Sequence, residues 1–226
     1  MTEKNIIVAL DDPLDYQGIL EVLDPKKCIL KVGSIIFNYH GRKILDEVAN
    51  NGFEIFFDIK FHDIPNTVSK SIESFKGYPI KLLTIHLSGG YSMIKSAIDS
   101  CKNINSKCIG VSILTSLNEE ESKEVYSQEI SKTASSMFNL AKETDIDGVV
   151  CSPHELKLAS DLLQNKIRIT PGIRLSNSNS DDQSRVMNPK QAIDLGATYL
   201  VIGRPITSLK DKASAFEKIY QSIYEE

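Results

Sequence analysis

Eight short apolar runs punctuate the chain, and each is followed by a longer stretch whose apolar residues recur every three or four positions. No other feature limits the possible folds so strongly. The runs are Ile6–Leu10, Cys28–Val32, Glu54–Asp58, Lys81–Ile85, Cys108–Leu114, Gly148–Cys151, Ile167–Thr170 and Tyr199–Ile202. Their lengths suit buried strands, and the segments between them carry the helical period. Ile44, Leu45 and Val48 make one helical stripe, and Val68, Ile72 and Phe75 make another. Ile130, Ala134, Met137, Phe138 and Ala141 make a third, while Phe216, Ile219, Tyr220 and Ile223 close the chain. These stripes read as core faces. Eight strand–helix units in 226 residues predict an α/β fold, a (β/α)8 barrel of the TIM type, occupying residues 1–226 as one domain. An open, doubly wound sheet is the competing arrangement. It would have to accommodate all eight strands, and no Gly-x-Gly-x-x-Gly follows the first of them, which also removes the obvious dinucleotide reading.

A barrel of this kind carries its chemistry just past the C-terminal ends of its strands. The sequence places unusual residues there. Asp11 ends the first run and Lys31 stands near the end of the second. The third runs into Phe57-Asp58-Ile59-Lys60-Phe61-His62-Asp63-Ile64-Pro65. Strand side chains alternate, so Asp58 and Lys60 share a face. Charges of both signs at the mouth of a buried strand are costly unless paired or used. A structural ion pair would explain them, but a catalytic cluster fits the company better. His86-Leu87-Ser88-Gly89-Gly90 follows the fourth run, Leu114-Thr115-Ser116-Leu117-Asn118 the fifth, Pro171-Gly172-Ile173-Arg174 the seventh and Gly203-Arg204-Pro205 the eighth.

Gly203-Arg204 lies where such barrels commonly hold a phosphate, with backbone N–H groups forming a nest and Arg adding a bidentate grip. A turn glycine beside a surface Arg is the plain alternative. Residues 172–187 lack clear periodicity and contain the polar run Asn177–Asp182 together with Arg174, Gln183 and Arg185, which suits a lid over an anionic substrate or a plain surface loop. His62, His86, His40 and His154 show no metal-ligand spacing and read as structural or hydrogen-bonding groups. Asp12 beside Pro13 looks like helix-start chemistry, leaving Asp11 as the inward acid. The dense charges of residues 119–124 read as a solvated loop and helix start.

Bulk properties narrow the function. The net charge of −4 gives no sign of a nucleic-acid or anionic-membrane partner. Cys28, Cys101, Cys108 and Cys151 have neither CxxC nor zinc spacing and read as reduced core thiols of a cytoplasmic protein. The first apolar run is too short for a signal peptide, and no window reaches the length of a membrane span.

The chain closely resembles the bacterial orotidine 5'-phosphate decarboxylase family. The resemblance is carried by Ala9-Leu10-Asp11, Leu30-Lys31-Val32-Gly33, Phe57 through Thr67, His86 through Gly90, Leu114 through Leu117, Thr170 through Arg174, Asp181 through Arg185, and Val201 through Ile206. It extends over essentially the whole chain. The resemblance implies decarboxylation of orotidine 5'-phosphate to uridine 5'-phosphate, without cofactor or metal, by a homodimer with shared sites. Lys60 would protonate C6 of the pyrimidine as carbon dioxide leaves. Asp58 and Asp63 would flank it, with Asp63 supplied by the other subunit. Lys31 would complete the alternating charges and touch the ribose. Asp11 and Thr67 would meet the ribose hydroxyls, Thr67 from across the interface. Gln183, Gly203 and Arg204 would hold the 5'-phosphate, Thr115 and Asn118 would border the base, and Arg174 would belong to the closing loop.

Two other functions are compatible with parts of the pattern. Related enzymes acting on open-chain keto-sugar phosphates resemble the chain in Asp58-x-Lys60-x-x-Asp63 but are expected to use Mg²⁺ and a further acid near the second or third strand end, where Lys31 stands here. A catalytically silent nucleotide-binding barrel would show binding without turnover.

Overall fold

The computed structural model describes residues 4–174 and 187–224. Eight parallel strands, β1 (Ile6–Leu10), β2 (Cys28–Gly33), β3 (Ile55–Phe61), β4 (Ile80–His86), β5 (Lys107–Val111), β6 (Gly148–Val150), β7 (Ile167–Thr170) and β8 (Tyr199–Ile202), pair in chain order. β8 returns to β1 and closes the barrel, with Ile6 opposite Leu200 and Val8 opposite Ile202. Helices surround it.

Strand alternation divides the apolar residues into two cores. Ile7, Ile29, Phe56, Leu82, Ile109 and Ile169 form one buried cluster with Val150, Ile167, Tyr199 and Val201 packed against it, filling the barrel. Their neighbours in sequence, among them Val8, Leu30, Phe57 and Leu83, belong to the larger core with the helices. Burying each large side chain contributes about 1.5–3 kcal/mol, so neither layer can exchange with the other cheaply. Ile44, Leu45, Val48, Val68, Ile72, Phe138 and Ala141 from the helical stripes are fully buried. Gly148 is required by close packing: a Cβ there would stand 2.5 Å from the Ile167 carbonyl oxygen.

The strand positions agree with the sequence, with two informative differences in extent. β5 ends at Val111 rather than Leu114, because the chain turns away there and Leu117 N–H bonds back to the Leu114 carbonyl. β3 continues to Phe61 by way of a bulge. Phe57 pairs with Leu83 and Phe61 with Ile85, so three residues of β3 oppose Thr84 alone. Within this bulge Lys60 adopts φ +52°, left-handed backbone that a side chain with a Cβ adopts at a cost.

The four cysteines are buried and free. Burial pushes the Cys28 and Cys151 thiols up to about 12, so neither is a nucleophile at neutral pH. Among the described residues no helix is long and apolar enough to cross a membrane.

Candidate active site

Moving up β1, β2 and β3 toward their C-terminal ends, the inward positions change from apolar to charged. β1 presents Ile7, then Ala9, then Asp11 just beyond its end; β2 presents Ile29, then Lys31; β3 presents Phe56, then Asp58 and Lys60. These charged groups border a cavity of about 520 Å³ at the barrel mouth, a size suited to a small organic ligand. Its apolar wall includes Ile35, Val111, Ile113, Val150, Pro171 and Val201.

The charges alternate in a chain. Lys31 Nζ is 2.9 Å from Asp11 Oδ1 and 3.8 Å from Asp58 Oδ2. Lys60 Nζ donates to both Asp58 oxygens, at 2.9 and 3.0 Å. Asp58 and Lys31 side chains are only 12% exposed, whereas Lys60 keeps 32% and Asp11 54%. Partial desolvation strengthens such contacts relative to surface pairs. Glycine leaves room for them: a Cβ on Gly33 would lie 3.0 Å from Lys31 Nζ, and one on Gly203 would lie 3.4 Å from Asp11 Oδ2. The shared face of Asp58 and Lys60 expected from simple alternation is present, although the bulge, rather than a regular strand, delivers it.

One residue of this centre carries no signal in the sequence. Thr84 of β4 is completely buried. Its hydroxyl accepts the Lys60 backbone N–H at 3.0 Å and donates to Asp58 Oδ1 at 3.0 Å. Alternation along β5, β6 and β8 places Val111, Val150 and Val201 on the inward side, where they line the cavity.

Across the mouth, Gly203 precedes a single turn of helix, Arg204–Thr207, and both Gly203 and Arg204 line the cavity. Thr115 and Arg174 line it too. Arg174 N–H bonds to the Met187 carbonyl at 3.0 Å and Met187 N–H to the Gly172 carbonyl at 3.2 Å, joining the two ends of the expected lid. Gln183 and Arg185 lie outside the described residues.

Asn118 has a local task. It caps the helix Glu119–Tyr126, accepting from the N–H groups of Glu120 and Glu121, while Glu121 accepts the N–H of Asn118 in return. Its side chain is exposed and does not line the cavity. Asp63 and Thr67 are exposed as well and contribute nothing to the cavity of their own chain. Asp63 Oδ1 accepts the Ile64 N–H at 2.7 Å, and Ile64 is 67% exposed.

His86 ends β4 with its ring centroid 5.3 Å from that of His62. Burial lowers the His86 pKa below its ordinary value, and the nearby His62 and Lys60 act in the same direction. His40 bonds through Nε2 to the Pro13 carbonyl at 2.8 Å, and Asp12 accepts the Leu14 N–H in a turn, as befits structural residues. Among the described residues no three His, Cys, Asp or Glu side chains form a group that could hold a metal ion.

The family model described as "Orotidine 5'-phosphate decarboxylase / HUMPS family" matches residues 4–219. The chain belongs to this family. Its relatives include the orotidine 5'-phosphate decarboxylase of Legionella pneumophila (strain Corby), 44% identical over 216 residues that cover 92% of this chain and 93% of the relative. The orotidine 5'-phosphate decarboxylase of Laribacter hongkongensis is 39% identical over 219 residues, covering 95% and 90%. The crystal structure of orotidine 5'-phosphate decarboxylase from Lactobacillus acidophilus superposes with a TM-score of 0.86 at 31% identity, covering 98% of this chain and all of that one. The family assignment thus spans the barrel and every strand end that builds the mouth.

Proposed function

We infer that this chain is an orotidine 5'-phosphate decarboxylase, converting orotidine 5'-phosphate to uridine 5'-phosphate and carbon dioxide in the last step of de novo uridylate synthesis. Full-length similarity to enzymes of that name supports the reading. The observation that carries it is the chain Asp11–Lys31–Asp58–Lys60 at one end of the cavity.

The chemistry explains why such a chain is needed. Loss of carbon dioxide from the orotate ring leaves an electron pair at C6, with no conventional sink to accept it. An ammonium group fixed beside C6 stabilises that charge as it develops and then supplies the proton. Lys60 takes this role. Asp58 holds its Nζ through two hydrogen bonds and stands close to where the departing carboxylate lies. Lys31 and Asp11 continue the alternation toward the ribose. Gly203 and Arg204, with Gln183, hold the 5'-phosphate, and Thr115, which lines the cavity, lies toward the base. Arg174 stands at the root of the closing segment. Binding at the remote phosphate positions the ring and assists closure, so its energy is expressed in the transition state.

The working unit is a twofold dimer in which Asp63 and Thr67 enter the partner's site. Their exposure, their absence from the cavity of their own chain and the exposed Ile64 between them support this arrangement. The enzyme works in the cytoplasm, in keeping with its four free thiols.

The rival within the same family acts on an open-chain keto-sugar phosphate with Mg²⁺. Lys31 argues against it, because an ammonium occupies the strand end where a further acid is expected. Purified protein treated exhaustively with chelator should convert orotidine 5'-phosphate and leave the keto-sugar phosphate untouched. The reverse preference, with activity restored by Mg²⁺, would overturn the reading.

A further inference from the structure

We propose that Thr84 is a positioning residue for Lys60, locking the bulged backbone and the Asp58 carboxylate in one arrangement. The inference builds on the role given to Lys60 above. The bulge sets three β3 residues, Asp58, Ile59 and Lys60, against Thr84 alone, so regular ladder pairing is interrupted there and the Lys60 N–H needs another acceptor. A buried N–H without an acceptor is strongly disfavoured. The Thr84 hydroxyl accepts it at 3.0 Å. Its single proton then goes to Asp58 Oδ1, also at 3.0 Å, so both functions of the hydroxyl are used and its rotor is fixed.

The consequence is a closed loop of contacts. Asp58 Oδ1 receives both the Thr84 hydroxyl and Lys60 Nζ. Thr84 therefore connects the main chain of Lys60 to the carboxylate that orients its side chain. It also holds φ at +52°, a conformation that Lys60 would leave if unconstrained. Thr84 is not among the residues lining the cavity, so it acts through these two residues. Its complete burial makes the hydroxyl the whole difference between Thr and the equally shaped Val.

Two variants and two measurements test this. Thr84→Val keeps the shape and deletes the hydroxyl, while Thr84→Ser keeps the hydroxyl. The first measurement is hydrogen exchange at the Lys60 amide, followed by NMR on ligand-free folded protein. Exchange should be slow in wild type and Thr84→Ser and fast in Thr84→Val, with other β3 and β4 amides unchanged. The second is steady-state turnover of orotidine 5'-phosphate. Thr84→Val should lose kcat by about 10- to 100-fold with KM little changed, the size expected when a catalytic group is displaced by about 1 Å. Thr84→Ser should recover most of the loss. A protected Lys60 amide in Thr84→Val, or a normal kcat, overturns the proposal, as does equal loss in Thr84→Ser. Wild-type protein that turns over no orotidine 5'-phosphate would refute the decarboxylase reading, and the exchange experiment would still decide the place of Thr84.

Discussion

The left-handed backbone at Lys60 allows the catalytic and conformational costs of this residue to be separated. We predict that Lys60→Ala and Lys60→Gly are equally inactive but differ in stability. Both remove the ammonium and both leave Asp58 with Thr84 at 3.0 Å and Lys31 at 3.8 Å, so their electrostatic losses cancel. What remains is the backbone at φ +52°. A residue with a Cβ gives up about 1–2 kcal/mol in that region. Glycine avoids this but loses about 0.5–1 kcal/mol more chain entropy on folding. The difference leaves Lys60→Gly about 0.5–1 kcal/mol more stable than Lys60→Ala, measurable as a higher urea midpoint at equal m-value. For turnover, loss of a general acid and of charge stabilisation together should lower kcat about 10,000-fold or more in both variants. Equal midpoints, or Lys60→Ala the more stable, would refute the idea that the bulge holds Lys60 under strain. Activity near wild type in either variant would remove Lys60 from the chemistry.

Other expectations concern single contacts. We predict that Arg204→Ala weakens kcat/KM for orotidine 5'-phosphate by about 1.5–3 kcal/mol while barely affecting the unphosphorylated nucleoside; equal proportional losses would place Arg204 away from the phosphate. Mixing Lys60→Ala and Asp63→Ala proteins with proven subunit exchange should restore activity approaching half the wild-type value per heterodimer, because one of its two sites receives both intact residues. No recovery would contradict shared, independent sites. Asn118→Ala should destabilise the protein by about 1 kcal/mol through loss of the cap on Glu119–Tyr126, read as a lower urea midpoint. If it also raises KM, Asn118 reaches the substrate as well; an unchanged midpoint would refute the cap.

The barrel was legible because parallel strands buried on both faces appear as short apolar runs, and a parallel sheet must alternate them with helices. The charged mouth was legible for a related reason: Asp11, Lys31, Asp58 and Lys60 interrupt those runs at their C-terminal ends, where burial makes a charge conspicuous. Thr84 was hidden by the opposite circumstance. A threonine inside Ile80–His86 looks like any β-branched strand residue. Its role depends on the register of β4 against a bulge in β3, which no local pattern encodes. Asn118 shows how two readings can share one residue. Asn118-x-x-Glu121 is a capping pattern as well as part of a strand-end loop, and the structure displays the cap. Asp63 and Thr67 are exposed and lie outside the cavity of their own chain, so their proposed place beside Lys60 rests on the proposed dimer and no local pattern encodes it.

The central claim is that Lys60 delivers a proton to C6 as carbon dioxide departs, and isotopes follow both halves of that event. Orotidine 5'-phosphate carrying ¹³C in its carboxyl group should be given to the chelator-treated enzyme in D₂O and followed by NMR. The account predicts labelled carbon dioxide and uridine 5'-phosphate appearing in equal amounts, with deuterium at C6, and neither product with Lys60→Ala. Intact substrate after prolonged incubation with wild-type enzyme, or Lys60→Ala forming the same deuterated product at a comparable rate, would contradict it.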